Sequence, residues 1–316
     1  MKYPSFLPTL SLGLALLLAS SANAQNADKK TAPAPQSFPG ATTEIYKTVG
    51  DVKLPIHIFK PEGHSADDQS PAIVFYFGGG WRSGSPQQFI HHCEYLASRG
   101  MVAMTVEYRV ANRHGVKAVS CLADAKSAFR WVRQNAQRLG IDPDRIAAGG
   151  GSAGGHLAGA LATISAYDEP DEDVSISSAP NALALFNPAL TLAPVEGEET
   201  PSQRQMDALN QRMGVPLESF SPYHNLSTDL PPTIIFHGTA DPTVPYRSVE
   251  LFTKKAQSLG NDCTLVGYEG QKHGFFNYKE GGGPMFVATL TETDKFLTSL
   301  GYLTGKPQVE SFLESR

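Results

Sequence analysis

From residue 40 onward, short apolar runs alternate with longer stretches in which apolar residues recur every third or fourth position. The runs 54–59, 72–77, 102–108, 145–148, 182–186, 233–237 and 263–268 have the length and composition of strands. The stretches 87–98, 121–139, 153–164, 246–258 and 285–300 carry the helical period. In 121–139, for example, Ala125, Ala128, Phe129, Val132, Ala136 and Leu139 form one apolar stripe. The β-α-β-α order predicts an α/β fold: a mostly parallel central sheet with helices on both faces. One domain over 40–304 and a C-terminal tail at 305–316 account for this pattern.

Two regions break the rhythm. Residues 191–228 are polar and proline-bearing and fall between two strand candidates, so they are expected to form a lid or pocket rim. Residues 25–39 are Ala/Pro/Lys-rich without periodicity and read as a disordered spacer. Ahead of them, Lys2, a Leu/Ala-rich run at 7–18 and Ala22-Asn23-Ala24 have the form of a cleaved signal peptide, which predicts a secreted or periplasmic protein. The run is shorter than the ~20 residues a spanning helix needs.

Composition narrows the classes further. With 41% hydrophobic and 18% charged residues the chain is ordinary for a globular protein, and a net charge of -5 gives no reason to expect nucleic acid or anionic membrane as a partner. Of the three cysteines, Cys93 and Cys121 are the favoured disulfide pair in an oxidising compartment; three buried thiols are the alternative. None has metal-ligand spacing. The acidic stretch 168–173 lacks calcium-loop spacing and reads as a solvated loop.

The candidate chemistry centres on Gly150-Gly151-Ser152-Ala153-Gly154, a G-x-S-x-G match between a short apolar strand and an Ala/Leu-rich helix. A serine on so sharp a turn needs small neighbours, and every flanking residue is Gly or Ala. The following helix turns its N-terminal N–H groups toward the serine. Such a serine requires a base, and the base an orienting acid. Asp241 and His273 each lie in a loop just past a predicted strand, in the chain order the motif demands. Asp229 and Asp262 do not follow a strand. The remaining histidines, His156 and His237 among them, suit packing or strand-end hydrogen bonding better than the base role.

Taken together, GGGSAGGHLAG, FGGGWRSGS, HGTADPTVP and KHGFFN resemble the α/β-hydrolase esterases of the hormone-sensitive-lipase-like type, above all secreted bacterial acetyl, feruloyl and acetylxylan esterases. The resemblance spans 54–303. It implies an eight-stranded sheet, a triad of Ser152, Asp241 and His273, and an oxyanion hole formed by the N–H groups of Gly79, Gly80 and Ala153. Adjacent amides approach a ligand closely only where side chains are absent, and each such donor contributes ~3–4 kcal/mol to the transition state. The chain departs from the family at Phe77, where a histidine normally braces the glycine loop; packing or other donors must hold it here.

These features predict a serine carboxylesterase for short-chain acyl esters, with acetyl groups on polysaccharide as a candidate substrate and no metal or organic cofactor. Trp81, Phe186 and Phe275 are candidate pocket residues. The rival readings are a peptidase of the prolyl-oligopeptidase type, for which there is too little chain ahead of the first strand to make a propeller, and a non-catalytic binder on the same scaffold. The sequence leaves the oligomeric state open.

Overall fold

The computed structural model describes residues 37–200 and 202–316. The expected signal peptide lies outside the described residues, as does the spacer up to residue 36. The last spacer residues are part of the fold: Phe38 is buried, with its ring 4.6 Å from that of His57.

Strands β1 (Ala41–Val49), β2 (Val52–Phe59), β3 (Ser70–Tyr76) and β4 (Val102–Val106) open the sheet, with helix α1 (Ile90–Ser98) between β3 and β4. Helices α2 (Ala111–His114), α3 (Ala118–Gln134) and α4 (Ala136–Leu139) lead into β5 (Ile141–Gly151) and α5 (Ala153–Thr163). After β6 (Ala182–Phe186) come α6 (Gln203–Met213) and α7 (Leu217–Phe220). Strand β7 (Thr233–Gly238), α8 (Tyr246–Ser258), β8 (Cys263–Tyr268), α9 (Pro284–Ser299) and α10 (Val309–Glu314) complete the chain.

The eight strands form one sheet in the order β1-β2-β4-β3-β5-β6-β7-β8. The β1–β2 and β2–β4 pairs are antiparallel and all others parallel. Side chains alternate across it. Val74, Tyr76, Leu183 and Leu185 face a core shared with α3, α5 and α8, whereas Ile73, Phe75, Ala184 and Phe186 face one shared with α1 and α9. Both faces are covered, so the central strands read as unbroken apolar runs.

Strand β1 was not expected. It is an edge strand whose residues are mostly half-exposed, with Tyr46 alone buried, so it lacks an apolar signature. The expected helix 121–139 is two helices parted at Asn135, whose φ and ψ (-96° and 9°) leave the helical region. The C-terminal tail folds as α10 and buries Val309 against the α1/α9 core.

The expected disulfide is absent. Cys93 and Cys121 are free, buried thiols and belong to the two different cores, on opposite faces of the sheet. The acidic stretch is not simply solvated either. Glu169 is paired with Lys47 and Arg109 at 2.7 and 2.9 Å, and Asp168 with Lys126 and Arg130. These bonds clamp the segment onto α3 and β1.

Candidate active site

Four loops meet at the C-terminal ends of neighbouring parallel strands, and each brings one polar side chain: Ser152 after β5, Asn187 after β6, Asp241 after β7 and His273 after β8. Ser152 has φ 53° and ψ -115°, a backbone that a non-glycine residue adopts only under constraint. The constraint is the turn itself: the Ser152 N–H is bound to the Phe186 carbonyl at 2.8 Å, and its carbonyl begins α5 by accepting from His156 N–H at 2.9 Å. The helix then runs against β3 so closely that a Cβ on Gly154 would lie 2.0 Å from the Tyr76 carbonyl oxygen.

His273 Nε2 lies 2.9 Å from Ser152 Oγ, and Nδ1 lies 2.7 Å from Asp241 Oδ2. A carboxylate only accepts, so Nδ1 carries the proton and Nε2 is left to accept from the serine hydroxyl. Burial would raise the Asp241 pKa. The hydrogen bonds from His273 and from the Val244 and Thr243 amides outweigh it and hold the carboxyl below its ordinary value. Asp241 is therefore ionised at neutral pH and sets the imidazole tautomer.

Asn187 is a site residue that periodicity did not reveal. Its Nδ2 donates to Asp241 Oδ2 at 2.8 Å, and its φ is 44°. The one signal in the sequence is an asparagine immediately past a strand, a residue that tolerates positive φ. His237, at the end of β7, places Nε2 at 2.8 Å from the Val244 carbonyl and 3.3 Å from Asp241 Oδ2. Both partners accept, so Nε2 is protonated, and burial lowers the ring's pKa. It holds the acid's loop rather than acting on Ser152.

The glycine loop packs directly on this turn: a Cβ on Gly78 would be 3.3 Å from that of Ser152. Gly79 has φ 129°, and a Cβ there would lie 2.2 Å from the Ser83 carbonyl oxygen, so no side chain fits. The Gly79 carbonyl accepts from the Arg82 and Ser83 amides, whereas the Gly79 and Gly80 N–H groups have no partner among the described residues. The Ala153 N–H, first in α5, is one of the donors a helix start leaves free.

The bracing that a histidine would supply is divided among other groups. Phe77 stacks on Tyr108 with ring centroids 4.0 Å apart, and the Tyr108 hydroxyl donates to the Phe77 carbonyl at 2.6 Å. The Gly78 N–H donates to Gln88 Oε1 at 2.6 Å, and Gln88 Nε2 donates to Asn277 Oδ1 at 2.8 Å. Beyond the glycines, the carbonyls of Trp81 and Arg82 accept from the amides of Ala111 and Asn112 at the start of α2.

Beside the site lies an open cleft of about 1080 Å³ between the 191–228 insertion and the loop after Asp241. Leu192, Val195, Met206 and Leu209 line one side and Thr243 and Pro245 the other. Residues of the insertion line this cleft, and none of the triad does. Of the three expected pocket residues, Trp81 lines a smaller recess beside the glycine loop. Phe186 and Phe275 do not line either cavity. Phe186 is wholly buried among Phe89, Phe236 and Phe276, and Phe275 packs on Tyr268; the alternation along β6 turns Phe186 into the α1/α9 core.

An eight-stranded, mostly parallel sheet with this constellation at its C-terminal edge is the α/β-hydrolase fold carrying a Ser-His-Asp triad. The chain belongs to the BD-FAE family, whose model matches residues 56–256. It is similar to Esterase LipC of Mycobacterium tuberculosis, with 27% identity over 226 residues covering 65% of this chain and 53% of that protein. It is also similar to Carboxylesterase NlhH of the same species, with 33% identity over 117 residues covering 36% of this chain and 35% of that protein. The chain thus spans about half the length of LipC and about a third of NlhH. Among solved structures, Thermogutta terrifontis esterase 2 phosphonylated by sarin superposes with a TM-score of 0.82 at 49% identity, covering 86% of this chain and 99% of that one. The butyrate-bound form superposes with a TM-score of 0.81 at 49% identity, covering 85% and 97%.

Proposed function

We propose that this protein hydrolyses carboxylic esters with short acyl groups through an acyl-enzyme on Ser152. The observation that carries the reading is the hydrogen-bond series from Ser152 through His273 to Asp241, next to a glycine loop with two unused amides. His273 Nε2 takes the Ser152 proton as Oγ attacks the ester carbonyl carbon. The carbonyl oxygen becomes an oxyanion held by the N–H groups of Gly79, Gly80 and Ala153. On collapse the C–O bond to the alcohol breaks, and His273 protonates the departing oxygen. Water then gives a proton to His273 and attacks the acyl carbon; the bond from that carbon to Oγ breaks, His273 returns the proton to Oγ, and the acid leaves. Asp241 stays ionised throughout and stabilises the imidazolium.

Short acyl groups are supported by the butyrate and propionate complexes of the Thermogutta esterase, and a nucleophilic serine by its organophosphate adducts. The amino-terminal pattern supports export, which would bring acetylated polysaccharide within reach as a natural substrate. Hydrolysis of p-nitrophenyl esters across acyl lengths, together with acetate release from acetylated xylan, tests both levels. Ser152→Ala is expected to keep the circular dichroism spectrum and to lose at least ~10⁴-fold in kcat/KM. A variant retaining a tenth of the activity would refute the nucleophile.

A further inference from the structure

The recess beside the glycine loop gathers cations that the chain does not neutralise. Arg212, in the last turn of α6, brings Nη1 to 3.9 Å from where a Cβ on Gly80 would lie. Together with Arg82, Lys117 and Trp81 it lines a recess of about 230 Å³ that has no acidic side chain in its wall. Several arginines elsewhere are matched, Arg99 with Asp294, Arg109 with Asp124, Arg130 with Asp168, Arg138 with Glu44 and Arg247 with Glu198, whereas of the recess cations Arg82 and Lys117 are exposed and Arg212 is half-buried. Among the described residues, Arg82, Lys117 and Arg212 have no carboxylate within 4.0 Å. On the rim of the larger cleft, Glu198 is taken up by Arg247, and Glu199 does not reach these cations.

A cation in the last turn of α6 is favourable in itself, because it meets the negative end of the helix dipole. That accounts for Arg212 alone. It does not account for three cations around one recess in a chain whose net charge is -5. Trp81 adds a separate observation. It is only 5% exposed, its φ of 59° is in the left-handed region, and its Nε1 has no hydrogen-bond partner. That nitrogen is sealed from solvent, so Trp81 gives the recess a fixed wall and no ligand atom.

We propose that this recess is an anion subsite which binds a carboxylate carried by the ester substrate, with the Arg212 guanidinium as its principal ligand. The inference rests on the esterase reading above, since Gly80 would hold the oxyanion and Arg212 lies against Gly80. The carboxylate then sits a short spacer away from the scissile carbonyl. It can belong to the acyl side, as in a monoester of a short dicarboxylic acid, or to the alcohol side, as in an acylated uronic acid. The fork of a guanidinium matches a carboxylate in two parallel hydrogen bonds.

The test compares charged and neutral esters of similar size: monoethyl succinate against ethyl 4-methylpentanoate, and acetylated glucuronic acid against acetylated glucose. In the wild type one charged ester is expected to have the higher kcat/KM. The charged-to-neutral ratio should fall about tenfold in Arg212→Gln, recover in part in Arg212→Lys, and decline with added salt. The first pair reports an acyl-side carboxylate and the second an alcohol-side one. Calorimetric titration of succinate and glucuronate into Ser152→Ala protein reads the subsite without turnover. Binding that is lost when Arg212→Gln is added supports it. Ratios equal in wild type and Arg212→Gln for both pairs, with neither anion bound, would overturn it. Failure to hydrolyse all four esters counts against the esterase reading, and the titration still decides the subsite.

Discussion

Asn187 and His273 donate to the same oxygen of Asp241: Nδ2 of Asn187 reaches Oδ2 from 2.8 Å, and Nδ1 of His273 reaches it from 2.7 Å. With the Thr243 and Val244 amides on Oδ1, the carboxylate is fixed at both oxygens. Asn187 thereby acts on the imidazole through the acid, as a positioning residue. Asn187→Gly keeps the positive φ accessible and removes the amide. A hydrogen bond to a charged group contributes about 1.5–3 kcal/mol, so kcat is expected to fall roughly ten- to a hundredfold with KM little changed. Steady-state kinetics on a neutral ester check this, and an equal rise in KM would mean the pocket had moved instead.

Gln88 joins the glycine loop to the loop bearing His273. It accepts from the Gly78 N–H and donates to Asn277, whose own Nδ2 donates to the Gly274 carbonyl. Gln88→Ala leaves the Gly78 amide unpaired and frees the loop from this tie. About a tenfold loss of kcat is expected while the melting temperature shifts only a few degrees. Thermal unfolding measured beside kinetics separates a loosened loop from a loosened fold.

Gly154 has no room for a methyl group, because the obstacle is the backbone of β3 rather than a side chain that can turn away. Gly154→Ala must push α5 off the sheet and carry Ser152 with it. Overpacking costs about 1–3 kcal/mol, and urea denaturation should show a loss at the upper end of that range or beyond. Activity should fall further than stability does, since the nucleophile's turn is what moves.

Acid should weaken the fold through its buried histidines. Burial pushes His92 down to about 3 and His57 and His156 to about 4, from an ordinary value of 6.5. Below pH 6.5 the unfolded chain binds protons at these sites that the folded chain refuses. Stability is therefore complete above pH 6.5 and declines as the pH falls toward 4. His92 sits among Phe75, Phe89, Phe186 and Phe286 with neither ring nitrogen hydrogen-bonded. His92→Phe should flatten the dependence of melting temperature on pH between 7 and 4.5 (roughly the window set by these shifts). An unchanged slope would assign the acid sensitivity elsewhere.

Much of the architecture was legible because it follows from burial alone. Strands β6 and β8 and helix α8 begin and end where the apolar pattern does: β6 is buried throughout, α8 buries one stripe, and β8, an edge strand with Cys263 alone buried, still shows an apolar Leu265-Val266 pair between turn-forming residues. Strand β5 runs past its apolar stretch into Gly149, Gly150 and Gly151, which pair with neighbouring strands yet have no side chain to announce it. Strand β1 was silent because its residues are mostly Thr, Glu and Lys, with Tyr46 alone buried, so no apolar run marks it. The turn Gly281-Gly282-Gly283 had no pattern at all, but a bridge from Lys279 to Gly282 closes it and Leu313 of α10 lies against it.

What the sequence determined by itself is everything that local spacing enforces. The small residues about Ser152 require a tight strand-to-helix turn, and the order of serine, acid and histidine past successive strands brings them to one edge of a parallel sheet. What only the tertiary structure decided are relations between segments distant in the chain. Cys93 and Cys121 fall on opposite faces because α1 and α3 do. Phe186 faces the core because of its parity along β6, and Asn187 meets Asp241 across 54 residues because β6 and β7 are neighbours. The loop that lacks a bracing histidine is held by Tyr108, Gln88 and the start of α2. These contacts depend on how the layers stack, and no periodicity along the chain encodes that.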